Sequence, residues 1–236
     1  MLIIPTYNER DNIATLVGRI RKAVGPDEGI FFVDDNSPDG TADEIARLQQ
    51  TDANIHLMRR PGKGGYGSAC RDAMKKILAE NLAEYLIQSD ADLSHPPELL
   101  PRMIEMLKSC QVVIGSRYTK GGGAQNWNFS RRCLSFGANL YARMFTGVPV
   151  HDMTAGFVGY RAEVLRQIDL DHIRSEGYAF LMEMKFNLHR RGTRFCEFPI
   201  IFFEREAGKS KFSRKILYEG MRFPLKALGK RVTRQP

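Results

Sequence analysis

Two aspartates one residue apart, Asp90 and Asp92, follow the short apolar run Tyr85-Leu86-Ile87 and stand just ahead of Pro96-Pro97. Carboxylate oxygens at that spacing suit one hard divalent cation, Mg2+ or Mn2+, and a cation so held can carry a diphosphate. The apolar run reads as a strand, which the prolines stop while favouring the start of a helix. Both carboxylates therefore lie beyond a strand's carboxyl end, the edge at which open α/β sheets bind ligands. A D-x-D tripeptide alone is more often a solvated turn. Its neighbours carry the decision.

Three further loops hold residues of the same chemistry. Pro5-Thr6-Tyr7-Asn8-Glu9 follows a first apolar run, and Asp34-Asp35-Asn36-Ser37-Pro38-Asp39-Gly40 follows Ile30-Phe31-Phe32-Val33. Arg59-Arg60-Pro61-Gly62-Lys63-Gly64-Gly65-Tyr66-Gly67 is basic, and its glycines allow close backbone approach to a ligand, although G-K-G-G lacks full P-loop spacing. After Val112-Val113-Ile114-Gly115, the long glycine-rich stretch at Gly121-Gly122-Gly123 has Arg117 at one end and Arg131-Arg132 at the other, which suits an anion-binding loop. His151 has no second metal ligand at helical spacing and reads as a turn residue without a catalytic role.

These loops need a scaffold. Strand-like runs at 1–4, 30–33, 55–58, 85–87 and 112–115 alternate with amphipathic stretches, the first burying Ile13, Leu16, Val17 and Ile20 on one face. That alternation predicts one α/β domain, a Rossmann-like, mainly parallel twisted sheet with helices on both faces. Right-handed crossovers bring the three acidic loops to one edge. Further on, a helix is expected over 133–146, a short strand at 158–160, a helix over 180–191 and a strand over 195–203. The last stretch, 213–231, mixes Ile216, Leu217, Met221, Phe223, Leu225 and Leu228 with six basic residues and has Pro224 inside it. It fits either a helix lying on a membrane interface or a terminal helix packed on the core. The division expected is a catalytic domain, 1–212, and a basic amphipathic helix with its tail, 213–236.

With 236 residues and 43% hydrophobic content the chain can build one core. A net charge of +8 points to an acidic partner: nucleic acid, a phosphorylated substrate or an anionic membrane. A nucleic-acid-binding protein explains the lysines but none of Asp34, Asp35, Asp39, Asp90 and Asp92, so no nucleic-acid partner is expected. The cysteines, Cys70, Cys110, Cys133 and Cys196, have no C-x-x-C spacing and read as buried reduced thiols fitting a reducing compartment. No apolar run approaches the ~20 residues of a membrane span, and Leu2-Ile3-Ile4 is too short for a signal peptide, so the expectation is a soluble or peripheral protein.

The set Pro5-Thr6-Tyr7-Asn8-Glu9, Val33-Asp34-Asp35-Asn36-Ser37-Pro38-Asp39-Gly40-Thr41, Asp90-Ala91-Asp92-Leu93-Ser94-His95-Pro96 and Gly115-Ser116-Arg117-Tyr118 resembles the family-2 inverting glycosyltransferases. Ser130-Arg131-Arg132, Ser135 with Gly137-Ala138-Asn139, Asp152-Met153-Thr154-Ala155-Gly156-Phe157, Gly177-Tyr178, Met182-Glu183-Met184 and Arg205 through Lys211 narrow the likeness to the dolichol-phosphate mannose synthases and their polyprenol-phosphate relatives. Ser94 stands where some relatives carry a metal-binding glutamine.

The resemblance implies a GT-A type nucleotide-diphospho-sugar transferase fold and inverting transfer of mannose from GDP-mannose to a polyprenyl phosphate, with Mg2+ or Mn2+. Pro5, Tyr7, Glu9, Val33 and Asp35 would hold the nucleoside. Asp90, Ala91 and Asp92 would span the sugar and metal, with Asp90 and Asp92 as the ligands. Arg205 and Lys211 would cover the diphosphate, and Arg117, Arg131 and Ser135 the acceptor phosphate. Asp90, Asp92 and Arg117 would be catalytic, and Glu183 structural or sugar-binding. Peripheral attachment to the cytosolic membrane face, with or without a membrane-anchoring protein partner, follows from the lipid acceptor. UDP-glucose as donor, or a hydroxyl acceptor, is the nearest alternative.

Overall fold

The computed structural model describes residues 1–203 and 214–232. In chain order the elements are β1 (Leu2–Thr6), α1 (Arg10–Val24), β2 (Ile30–Asp34), α2 (Thr41–Gln49), β3 (Ile55–Arg59), α3 (Tyr66–Ala79), β4 (Tyr85–Gln88), α4 (Leu100–Leu107), β5 (Val112–Ser116), β6 (Gly123–Ala124), α5 (Phe129–Thr146), β7 (Val158–Arg161), α6 (Ala162–Leu165), α7 (Gly177–Arg190), β8 (Phe195–Pro199), β9 (Ile201–Phe202) and α8 (Arg214–Val232). The main sheet has seven strands in the order β3-β2-β1-β4-β7-β5-β8, and β6 pairs with β9 beside it. β7 runs antiparallel to β4 and β5; the other ladders of the main sheet are parallel.

The strand sequences are apolar throughout because both faces are covered, and the two-residue side-chain period sorts them. Leu2, Ile4, Ile30, Phe32, Ile87 and Val113 point into a core with α1 and α4. Ile3, Phe31, Val33, Leu86, Val112 and Ile114 point into the opposite core with α3 and α7. The four apolar residues expected to face inward on the first helix are its buried set. The chain winds outward from β1 through β2 to β3, then returns to place β4 on the other side of β1. The β1/β4 boundary is thus a topological switch point, and the loops carrying Tyr7, Asp35 and Asp90 open beside it.

Several expectations shift. The first strand begins at Leu2 and continues through Thr6. The strand expected over 195–203 breaks after Pro199, and its continuation, β9, pairs with the glycine-rich stretch at Gly123. Cys110 and Cys196 are joined as a disulfide, with Cα atoms 6.2 Å apart, contrary to the reading of four reduced thiols. Parallel pairing of β5 with β8 sets Cys196 opposite Val113, so 86 residues of separation vanish in the fold. Of the two free thiols Cys70 is buried and Cys133 is exposed. Cysteine usage therefore gives no argument for a reducing compartment.

Gly67, in the first turn of α3, is where that helix meets the start of α7: a Cβ there would lie 2.6 Å from the Ser175 carbonyl oxygen and 2.9 Å from Phe180 Cβ. A backbone atom cannot swing aside as a side chain can. Gly67→Ala should therefore lower stability by about 1–3 kcal/mol, the usual range for overpacking. A lower urea midpoint at unchanged slope checks this.

Candidate active site

The first two loops organise themselves largely with their own acids. Asp34, almost fully buried, accepts from Thr6 Oγ1 (3.1 Å), Ser37 N (2.9 Å) and Ser37 Oγ (2.5 Å). Asp39 accepts from Thr41 N (3.0 Å) and Arg10 N (3.2 Å). The next carboxylate faces the basic loop: Asp35 pairs with Arg60 Nη1 at 2.5 Å and accepts from Gly65 N at 2.8 Å. Lys63 from that loop stacks its ammonium over Tyr7, 3.8 Å from the ring centroid. The basic glycine-rich loop therefore closes over the β1 and β2 loops. Pro5 lies in β1, Glu9 accepts from Asn12 Nδ2 at 2.9 Å, and the Val33 side chain is buried in the core.

Beyond β4 the D-x-D turn is supported from beneath. Gln88 is fully buried and donates from Nε2 to Tyr66 Oη (2.8 Å) and Gly156 O (3.3 Å). Burial, with the neighbouring Asp90 carboxylate second, pushes the Tyr66 phenol far above its ordinary range, so it stays protonated beside that acid. His95 Nδ1 accepts from Asp90 N at 3.1 Å, so the ring proton lies on Nε2, 4.0 Å from Asp90 Oδ2. Gly156 lets these groups meet: a Cβ there would fall 3.1 Å from Tyr66 Oη, 3.4 Å from His95 Cε1 and 3.6 Å from Asp90 Oδ1. Asp92 Oδ1 accepts from Ser94 N at 3.1 Å across Leu93, which adopts the left-handed conformation with φ 62°. A bulky residue held at positive φ is strained, a feature that clusters at functional sites.

The donor set fits a divalent cation as an incomplete sphere. Asp90 is partly exposed, Asp92 and Ala91 are buried, and Ser94 Oγ is enclosed without a hydrogen-bond partner among the described residues. No cluster of three His, Cys, Asp or Glu ligands occurs among the described residues. Two carboxylates with substrate phosphates completing the shell is the usual way a protein holds Mg2+.

On the other side of the turn, the three residues expected at an acceptor phosphate converge around aromatic rings. Arg117 Cζ lies 5.5 Å from the Tyr118 ring and 5.6 Å from Trp127, while Arg131 Cζ lies 4.5 Å from Trp127. Ser135 Oγ accepts from Tyr118 Oη at 2.6 Å. Phe202 joins this cluster to the acidic turn, 5.7 Å from Trp127 and 5.8 Å from His95. Arg205 and Lys211, expected at the diphosphate, lie outside the described residues.

Arg117 is aimed by a buried polar network that the sequence did not reveal. Its Nε and Nη2 donate to Asp152 at 2.8 and 2.7 Å, and Nη2 also reaches Thr154 Oγ1 at 2.7 Å. Asn139 Oδ1 accepts from Met153 N and Thr154 N, and Glu197 accepts from Asp152 N. Lys185, fully buried on α7, donates to Met153 O (3.1 Å), Ala155 O (3.0 Å) and Leu181 O (3.5 Å). Burial would raise the Asp152 carboxyl, but the Arg117 guanidinium holds it below its ordinary range. Burial lowers the Lys185 ammonium to about 7, with Arg117 adding to the shift and Asp152 and Glu197 opposing it. Asn139 belongs, like Asp152, to a motif that carries the resemblance, whereas Lys185 and Trp127 had no signal of their own: one is a polar residue inside an apolar helix, the other an aromatic in a polar, glycine-rich stretch.

The sequence profile of Glycosyl transferase family 2 matches residues 1–169. The undecaprenyl-phosphate mannosyltransferase of Micrococcus luteus is 43% identical over 221 residues, covering 94% of this chain and 90% of that protein. The polyprenol monophosphomannose synthase of Mycolicibacterium smegmatis is 43% identical over 225 residues, covering 94% and 83% respectively. Among solved structures, the glucosyl-3-phosphoglycerate synthase of Mycobacterium tuberculosis in complex with Mn2+ and UDP-glucose superposes with a TM-score of 0.65 at 16% identity, over 97% of this chain and 78% of that one. That likeness shows the shared GT-A type fold.

The buried ammonium makes stability depend on pH in a stated direction. An unfolded lysine keeps its proton up to about 10.4, whereas the folded chain releases it near 7. Between those values the unfolded state binds more protons, so stability rises with pH across the window. Lys185→Met should flatten that rise. Urea titrations of both proteins at pH 7 and 9.5 check it, and equal slopes would assign the dependence to another group.

Proposed function

The chain belongs to glycosyltransferase family 2, and from that premise we propose that this enzyme transfers mannose, with inversion, from GDP-mannose to a polyprenyl phosphate. The observation that carries the reading is the adjacency of a diphosphate-type acidic turn, Asp90-Ala91-Asp92, to a cluster of two arginines on aromatic rings. The names of the Micrococcus and Mycolicibacterium relatives support the mannose and the prenyl phosphate.

In this reading Pro5, Tyr7, Glu9, Val33 and Asp35 form the nucleoside end. The Val33 contribution is confined to its backbone, and Asp35 acts together with Arg60 and the Gly65 amide. Asp90 and Asp92 would hold Mg2+ or Mn2+, with Ala91 against the sugar. A divalent ion there supplies positive charge to the diphosphate leaving group. Arg205 and Lys211 are assigned to the same diphosphate. The acceptor oxygen attacks the anomeric carbon from the face opposite the diphosphate: the carbon–phosphate-oxygen bond forms as the bond to the diphosphate oxygen breaks. No general base is needed, because a phosphomonoester with a second pKa near ~6 is largely dianionic at neutral pH. What the acceptor needs is orientation and relief of repulsion from the donor, the task of Arg117, Arg131 and Ser135. Glu183 accepts from Ser175 N at 3.2 Å and is structural in this scheme.

Two helices support peripheral attachment. No helix among the described residues is long and apolar enough to cross a membrane. Yet α5 turns Phe129, Cys133, Phe136, Leu140 and Met144 outward on one face, and buries only Asn139, Ala142 and Thr146. Beside it α8 buries Phe223 and Ala227 and exposes Tyr218, Met221 and Leu225. With Arg131, Arg132, Arg222, Lys226 and Lys230 around them, these rows form a basic-rimmed apolar face suited to an anionic bilayer, which on the cytosolic side would bring 213–236 and the catalytic domain, 1–212, to the lipid phosphate. Each basic residue near such a surface contributes about 1 kcal/mol.

Transfer of radiolabel from a panel of nucleotide sugars to a short prenyl phosphate tests the activity: GDP-mannose should dominate, and Asp92→Asn should lose at least a hundredfold in metal-supported turnover with an unchanged melting profile. Preference for UDP-glucose or for a hydroxyl acceptor would replace the reading. For the membrane face, Phe136→Ser with Met144→Ser should cut co-sedimentation with anionic vesicles at least tenfold, since each large side chain contributes about 1.5–3 kcal/mol when buried. Unchanged binding at both low and high salt would place attachment elsewhere.

A further inference from the structure

Trp127 is the only tryptophan in the chain, and both arginines of the proposed acceptor site lie against its ring. The polar edge of its ring is what sets it apart from a packing residue. Its indole Nε1 is enclosed and has no hydrogen-bond partner among the described residues. Buried Trp N–H groups ordinarily find an acceptor, and one left without carries a desolvation penalty that a ligand oxygen removes.

The surroundings say what kind of oxygen. Arg131 Cζ is 4.5 Å from the Trp127 centroid and Arg117 Cζ is 5.6 Å away on the same ring, so two cations share one aromatic. Asp152 takes the Nε and Nη2 edges of Arg117, while no hydrogen bond engages its Nη1 among the described residues. A donor N–H on a ring that two guanidiniums share favours an anion with several acceptor oxygens over a neutral hydroxyl or a single carbonyl. The cluster adjoins the acidic turn through Phe202 and His95, so an anion held there stands next to the sugar-donor side.

We propose that Trp127 is a direct ligand of the acceptor phosphomonoester: its Nε1–H donates to a phosphate oxygen while its ring face holds Arg117 and Arg131 in position for the others. This assignment rests on the prenyl-phosphate reading of the site and adds to it the residue that distinguishes a phosphate acceptor from an alcohol. Trp127 lies on the loop between β6 and α5, downstream of Gly121, which turns the chain at a φ of 91°. A phosphate oxygen bonded to Nε1 changes the indole's surroundings, and with them its emission.

The single tryptophan makes the test direct. The wild-type chain is titrated in detergent with a short-chain prenyl monophosphate and, separately, with the matching prenyl alcohol, while intrinsic fluorescence is recorded. The monophosphate should change emission saturably, with half-saturation near its KM as acceptor, and the alcohol should not. Trp127→Phe keeps an aromatic face and removes the N–H; it should raise acceptor KM about tenfold, as for loss of one hydrogen bond to a charged group, with donor KM and kcat within about twofold. Emission indifferent to saturating monophosphate, or equally changed by the alcohol, overturns the proposal, as does an equal rise in donor KM. Arg131→Ala separates the two levels of inference. If it weakens acceptor use while Trp127→Phe does not, the acceptor site stands and Trp127 is not its ligand; if the wild type uses no prenyl phosphate, both fall.

Discussion

Arg117 and Lys185 are two basic groups that the fold keeps almost wholly out of water, and Asp152 is the carboxylate they share the interior with. A buried charge is tolerated only when paired and hydrogen-bonded, and removing one member of such a pair costs about 3–5 kcal/mol. Here each polar demand is met by another part of the chain: Asp152 by Arg117, Lys185 by the carbonyls of Met153 and Ala155, and the intervening amides by Asn139 and Glu197. The turn before β7 is therefore held by α5, α7 and β8 at once. Because β7 is the antiparallel strand wedged between β4 and β5, that same turn sets how the acidic loop after β4 faces the basic loop after β5.

This arrangement explains the division of the site. Parallel strands β1, β2 and β4 give one half through their carboxyl ends, a region of carboxylates with Arg60 and Lys63 laid across it. The other half begins where the sheet departs from the parallel pattern. There the chain leaves β5, crosses to pair β6 with β9, and places Trp127 over Arg117. An acidic half suits a cation-bridged diphosphate and a basic half suits a free phosphate, and two groups of like charge can react only if each has its own counter-charge.

The scaffold was legible in the sequence because continuous apolar strands and amphipathic helices leave periodic traces. The buried positions of α1 and the strand after Glu84 could be read from spacing alone. What spacing could not show is which way a helix turns when its two faces are of similar size. In α5 the larger apolar residues face out and Asn139 with two small residues faces in, a pattern opposite to a core helix. Periodicity records the stripe but not its direction. The Cys110–Cys196 pairing and the Lys185 contacts were likewise hidden, since both are set by strands and helices that meet only in three dimensions. The acidic turn was legible as chemistry, while its support by Tyr66, Gln88 and His95 was not.

The outward apolar face of α5 has a consequence for the chemistry at its own start. Arg131 lies in the helix's first turn, just after Trp127 in the preceding loop, and Ser135 one turn further on, so two of the residues proposed for the acceptor phosphate and the apolar row exposed to solvent belong to one helix. If the apolar row of α5 enters a bilayer at headgroup depth, the helix carries the arginine–tryptophan cluster to the level where a lipid phosphate resides. A prenyl chain then remains in hydrocarbon while only its phosphate needs to reach the protein, which removes the need for a deep apolar tunnel beside the sugar site. Membrane attachment and acceptor recognition are in this sense two faces of one helix, and the network around Asp152, which fixes Asn139 on its inner side, keeps them in register with the acidic turn.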